Sequence, residues 1–142
     1  MRTNQLVILF ILLLFSLNSC KKNEDADFLL QNEWKIKSIF TNKETLKPQK
    51  KTHREEAYIL KFNNDTFFDL HTSVNYAGGR CNIVFEGKIC IENYGIQTKV
   101  CCENDFDKQM ISIMNNVNSY HCKGNKLTFL TDKNEKIIFE KQ

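Results

Sequence analysis

Alternation of apolar and polar residues in short runs is the feature that most constrains the fold of this chain. In "EWKIKSIF" (Glu33 to Phe40), Trp34 and Ile36 stand opposite Lys35 and Lys37, the period of two of a strand with one wet face. "AYILKFNNDTFFDLHTSVN" (Ala57 to Asn75) repeats it as a hairpin. Tyr58, Leu60 and Phe62 share one face, "NND" turns, and Phe68, Leu70 and Val74 share the next. "RCNIVFEGKICIEN" (Arg80 to Asn93) gives a further hairpin, with Ile83 and Phe85 before a Glu86-Gly87 turn and Ile89 and Ile91 after it. The end of the chain is a last one: "NSYHC", a "KGN" turn, "KLTFL", then "EKIIFEKQ". Strands this short and this closely spaced favour a mainly β (α+β) domain built on a strongly curved antiparallel sheet or a small barrel.

One segment keeps a different period. In "NDFDKQMISIMNNVN" (Asn104 to Asn118), Phe106, Met110, Ile113, Met114 and Val117 recur at spacings of three and four. Asn104 suits an N-cap, and Asp105 and Asp107 lie near the positive end. The spacing predicts one amphipathic helix of about three turns, packed against the sheet. A Met and Ile stripe also suits a partner groove, but a helix over a sheet accounts for it. Between the first strand and the first hairpin, "TNKETLKPQKKTHREEA" (Thr41 to Ala57) holds the only proline and reads as a loop. Its basic cluster is partly neutralised by Glu44, Glu55 and Glu56. No period of 20 to 50 residues repeats.

The beginning of the chain belongs to another class of segment. Leu6 to Phe15 are ten consecutive apolar residues, Arg2 precedes them, and Ser16, Asn18 and Ser19 follow. That is the layout of a signal peptide; as a helix the run would reach roughly 15 Å, about half the hydrocarbon thickness of a bilayer. "LNSC" resembles the bacterial lipoprotein box, which implies cleavage before Cys20, a diacylglycerol on its thiol and a palmitate-type acyl chain on its amino group. The expected organisation is a lipoprotein signal peptide over 1–19, a lipidated polar tether over 20–28 and a single domain over 29–142. Attachment to the membrane would run through the N-terminal lipid. The expected location is the cell envelope, as an outer-membrane lipoprotein on the periplasmic or the surface face. The run after Cys20, "KKNEDAD", partly resembles a surface-export signal of Bacteroidetes lipoproteins.

Removing Met1 to Ser19 leaves 123 residues, enough for one domain with a core. Loss of Arg2 takes the formal net charge from +3 to +2. This balance gives no electrostatic case for nucleic acid, and no RRM, zinc-finger or basic-helix pattern supplies one. A monomer is expected, and the sequence names no protein partner. No GxSxG, P-loop, HExxH or GxGxxG occurs. His53 lies in the basic loop, His71 on the wet face of an expected strand, and His121 opposite Tyr120 and Cys122, so each reads as a surface histidine. The expectation is a protein that is not an enzyme, with no catalytic residues, no metal and no cofactor.

"GGRCNIVFEGKICIENYGIQTKVCC", the acidic helix, "VNSYHCKGNKLTFL" and a final "IIFE" together resemble the META domain of the HslJ heat-shock lipoprotein family. Trp34, Asn75, Gly79, Thr98, Cys102, Tyr120 and Gly124 fit the positions of that family's motif in order, and the resemblance covers roughly Leu29 to Glu140. The family's cysteine before the asparagine is Val74 here. What the resemblance implies is a non-enzymatic envelope lipoprotein associated with stress tolerance or envelope maintenance. The alternative is a lipocalin-like barrel carrying a small apolar ligand, if the interior is not filled. Eleven Phe, four Tyr and one Trp in so short a chain favour a filled interior.

Outside the cytoplasm Cys81, Cys90, Cys101, Cys102 and Cys122 are able to oxidise, with at least one left over. Cys101 and Cys102 are adjacent and poorly placed to bond each other. The resemblance sets them at a junction between strand and helix, so one is expected to reach Cys81 or Cys90. Zinc is the competing use of Cys101, Cys102, His121 and Cys122, but adjacent CC and HC pairs diverge on a strand.

Overall fold

The computed structural model describes residues 24–49, 52, 54–84, 87–98, 100 and 102–142. The signal segment and Cys20 lie outside the described residues, as do His53, Phe85, Glu86 and Cys101. Nine strands are described: β1 (Trp34–Phe40), β2 (Thr45–Leu46), β3 (Ile59–Phe62), β4 (Phe67–Leu70), β5 (Ala77–Val84), β6 (Lys88–Ile96), β7 (Val117–Lys123), β8 (Lys126–Thr131) and β9 (Lys136–Lys141). From β3 onward each strand pairs antiparallel with the next, and β9 returns to β1, from Trp34 opposite Lys141 to Phe40 opposite Lys136. The result is a closed antiparallel barrel of eight strands, with the two-residue β2 laid beside the end of β1.

The alternation read from the sequence decides what fills it. Leu60 and Phe62 on β3, Phe68 and Leu70 on β4, Ile89 and Ile91 on β6, and Leu127 and Phe129 on β8 all point inward and are buried. On β1 the inward set is Trp34, Ile36 and Ile39, because the register slips between Ile36 and Ser38. That extra residue carries Ile39, rather than Ser38, into the core. Aromatic rings meet across the interior: Phe129 lies edge-on to Phe139 at 5.2 Å, and Phe68 stacks on Tyr94 at 5.7 Å.

The expected amphipathic helix is α2 (Asp105–Met114). Its inward face is Phe106, Met110, Ile113 and Met114, and the Phe106 ring meets Tyr58 edge-on at 5.0 Å. Val117, read with the helix, begins β7 and is still buried. A second helix, α1 (Glu24–Gln31), occupies part of the stretch expected to be a polar tether. Its Leu29 is fully buried, and the Leu29 carbonyl accepts from the Trp34 indole Nε1 at 3.0 Å. The apolar Phe28-Leu29-Leu30 triplet gives the segment a face to bury, which a composition reading of its acidic half overlooks. Among the described residues no helix is long and apolar enough to cross a membrane.

Candidate functional site

Buried polar side chains concentrate where the turn between β4 and β5 meets the segment that leads from β6 into α2. Thr72 opens the turn: its Oγ1 accepts from the Asn75 amide at 2.8 Å, and its own amide donates to the Asn75 carbonyl at 3.0 Å. That turn presents the Asn75 side chain, only 2% exposed, to the facing segment. Asn75 Oδ1 accepts from Thr98 Oγ1 (2.9 Å) and the Val100 amide (2.8 Å). Its Nδ2 donates to the Val100 carbonyl (2.8 Å) and Glu103 Oε1 (3.0 Å). All four hydrogen bonds available to an amide side chain are made, so the Asn75 side chain ties the two loops together. Thr98 Oγ1 also accepts from the Tyr76 amide at 3.0 Å.

Asn104 and Asp107 tie α2 to the same turn. Asn104 is the N-cap, its Oδ1 accepting from the Asp107 amide at 2.9 Å. Its Nδ2 donates to Ser73 Oγ at 3.1 Å and to the Tyr58 hydroxyl at 3.3 Å. Asp107 has no exposed surface, and its carboxylate accepts from the Ser73 amide (3.2 Å) and the Ser73 hydroxyl. A carboxylate in the first turn also meets the positive end of the helix. Burial, reinforced by Asp107, pushes the Tyr58 hydroxyl up to about 12. Tyr94, which donates to the Leu70 carbonyl at 2.7 Å, is pushed well above its ordinary value by burial, with the charges of Asp107 and Glu103 adding to it. Both phenols therefore stay protonated at neutral pH. Every buried side-chain nitrogen or oxygen among the described residues has a hydrogen-bond partner. Ser73, enclosed and donating to Asp107, is held as a structural pin rather than offered to a substrate.

His71 corrects a sequence expectation. It is buried rather than on a wet face, because β4 ends at Leu70 and the chain turns inward. Its Nδ1 sits 3.1 Å from the Ala77 amide and 3.0 Å from the Ala77 carbonyl. Arg54 closes over the outside of the turn, with Nε donating to the Val74 carbonyl at 2.9 Å and the guanidinium 3.6 Å above the Tyr76 ring.

Of the motif residues, Asn75 and Thr98 come together directly, and Gly79 lies on the neighbouring strand. There Gly79 faces Phe68, and a Cβ would stand 3.0 Å from Tyr94 Cα. Trp34 starts β1 with its indole buried. Tyr120 is buried on β7, its amide donating to the Gly87 carbonyl at 2.6 Å, and Gly124 turns the β7–β8 hairpin with a φ of 57°. Cys102 lies exposed just before α2, and Cys122 is half-buried on β7. Cys101, one end of the expected bridge, lies outside the described residues, and among the described residues no bridge reaches Cys81 or Cys90. Cys81 and Cys90 are both thiols, and the register sends them to opposite faces of the β5–β6 hairpin. Cys81 points inward, where burial pushes its thiol up to about 11. Among the described residues no group of three or more His, Cys, Asp or Glu gathers to hold a metal ion. Sequence reasoning missed Ser73, Tyr58 and the role of Asp107. The only local signal was the Asn104 and Asp107 spacing at the helix start.

The META domain family model matches residues 27–142. This chain belongs to the META domain family. The barrel of this META domain is also similar to two solved structures. One is the NMR structure of a protein from Burkholderia xenovorans, with 11% identity, a TM-score of 0.61, and 85% of this chain and 88% of that one covered. The other is the crystal structure of a DUF4847 family protein from Bacteroides vulgatus, with 16% identity, a TM-score of 0.59, and coverage of 80% and 94%. At these identities the likeness concerns the fold alone. No curated protein matches the chain.

Proposed function

We propose that this META protein is a non-enzymatic lipoprotein of the bacterial envelope, tethered through lipid on Cys20 and serving stress tolerance or envelope maintenance. The observation that carries the reading is the filled interior. Trp34, Tyr58, Phe68, Phe129 and Phe139 occupy it with Leu, Ile and Met, and the polar cluster at its end spends its hydrogen bonds internally. That arrangement supports a rigid body working through its outer surface over a carrier, which needs an empty apolar interior. The apolar run ending in "LNSC" supports the tether, which is short: α1 begins four residues after Cys20. The test is deletion and complementation in the cell of origin. Loss of the protein should sensitise cells to heat or detergent, wild type should restore survival, and Cys20→Ser should not. Full rescue by Cys20→Ser would overturn the tether, and a deletion without phenotype would overturn the envelope role.

A further inference from the structure

The outer face of β3 to β6 carries a groove that neither the family nor the polar cluster accounts for. It is an open hollow of about 490 Å³, and Gly78 and Gly79 contribute only backbone to its lining. In register across the sheet, Asp69 stands opposite Gly78 and Gly78 opposite Gly95, so two of three positions in that row lack side chains. A Cβ at Gly78 would come within 2.9 Å of Asp69 Oδ1 and 3.0 Å of Gln97 Nε2. These polar groups therefore close in over the glycine. Phe67, paired with Arg80, forms one wall and leaves 42% of its surface in solvent.

Two further features shape its rim. Asn93 and Tyr94 together oppose Gly79, and at that bulge Asn93 takes a φ of 53°, a left-handed conformation that asparagine tolerates. The bulge sets the Asn93 amide at the groove, on the exposed surface. Neither Asn93 nor Gln97 makes a side-chain hydrogen bond to another described residue, and Arg80 only lies over the Phe67 ring, at 5.0 Å. Their donors and acceptors face water. A second hollow of about 260 Å³ adjoins across Asn63 and Asp69, which are joined by a 2.9 Å hydrogen bond, so the trench runs on beyond one small ring.

We propose that this trench binds a neutral oligosaccharide. The Phe67 ring, with the Arg80 guanidinium over it at 5.0 Å, still leaves 42% of the residue exposed as apolar surface for the C–H face of a sugar ring. Planar amide, carboxylate and guanidinium groups each present paired donors or acceptors to neighbouring hydroxyls. Along the trench the carboxylates of Asp69, Glu33 and Glu56 are interspersed with the cations Arg80 and Lys61, Lys61 pairing with Glu33 at 2.8 Å, so no field of one sign is left for an ionic polymer to meet. An added peptide strand is disfavoured as well, because the backbone of β4 to β6 beneath the groove is already paired within the sheet.

The test uses full-length protein in zwitterionic detergent, titrated calorimetrically with maltohexaose, cellohexaose, chitohexaose and mannohexaose. At least one should bind saturably at one site. Phe67→Ala should weaken that binding roughly tenfold, and Gln97→Ala should weaken it also, with unchanged thermal unfolding. Phe67 is exposed enough for its truncation to leave the fold intact. Binding by none of the four, or binding indifferent to both substitutions, overturns the proposal.

Discussion

Asp107 sits at the third position of α2 with no exposed surface and keeps its charge company through Ser73, 34 residues away in sequence. Asp107→Ala strips the Ser73 amide and hydroxyl of their acceptor in a buried place, which should cost about 3 kcal/mol in urea unfolding. Ser73→Ala should cost less, and the double variant should fall short of the sum by at least about 0.5 kcal/mol, the signature of direct coupling. Additive effects would mean that the two do not act as a pin. The titrating groups set a second expectation. Tyr58 is held at about 12 against an ordinary 10.0, and Cys81 at about 11 against 9.0, chiefly through burial in each case. Both pKa values are raised on folding, so the neutral groups contribute fully at lower pH. As pH rises the unfolded chain ionises first, and stability is lost from about pH 9 to 11 for Cys81 and from about 10 to 12 for Tyr58. Urea midpoints should therefore decline above pH 9, and Tyr58→Phe should make the part above pH 10 shallower, leaving the share that belongs to Tyr94, whose pKa is also raised.

Elements were legible where one period ran unbroken. Alternation marked β1, β3, β4, β5 and β6 because each strand has one wet face, and the spacing of Phe106, Met110, Ile113 and Met114 marked α2 for the same reason. What escaped depends on contacts between distant segments. His71 reads as outward only if β4 continues through it, and Ser73 carries no local sign that it will meet Asp107. α1 escaped because its acidic residues masked the Phe28-Leu29-Leu30 face that packs on Trp34. Of the site, Asn75 and Thr98 came from the motif resemblance, and only the folded chain shows that they bond. The two turn glycines give a test at this scale. Gly87 has a φ of 76°, and a Cβ there would lie 2.7 Å from the Tyr120 carbonyl oxygen, whereas Gly124 has a φ of 57° with open space around it. Gly124→Ala should cost only the backbone term of about 1 kcal/mol, and Gly87→Ala distinctly more, since β7 must also move. Equal thermal shifts would contradict the close approach of that turn to β7.

For the whole molecule, the shape and the tether bear on each other. Aromatic side chains fill the META barrel, and α1 packs against it beside Trp34. From Glu24 back to Cys20 an extended chain spans at most about 14 Å, so a lipid on Cys20 would hold the barrel close to the headgroups. Envelope function at a membrane surface follows only if that lipid is present. The most direct measurement is intact mass spectrometry, with fragmentation of the N-terminus, on protein extracted from its native membranes. The account predicts a chain of residues 20–142 whose first residue, Cys20, carries a thioether-linked diacylglycerol and an acylated amino group. An unmodified N-terminus at any other residue would contradict it.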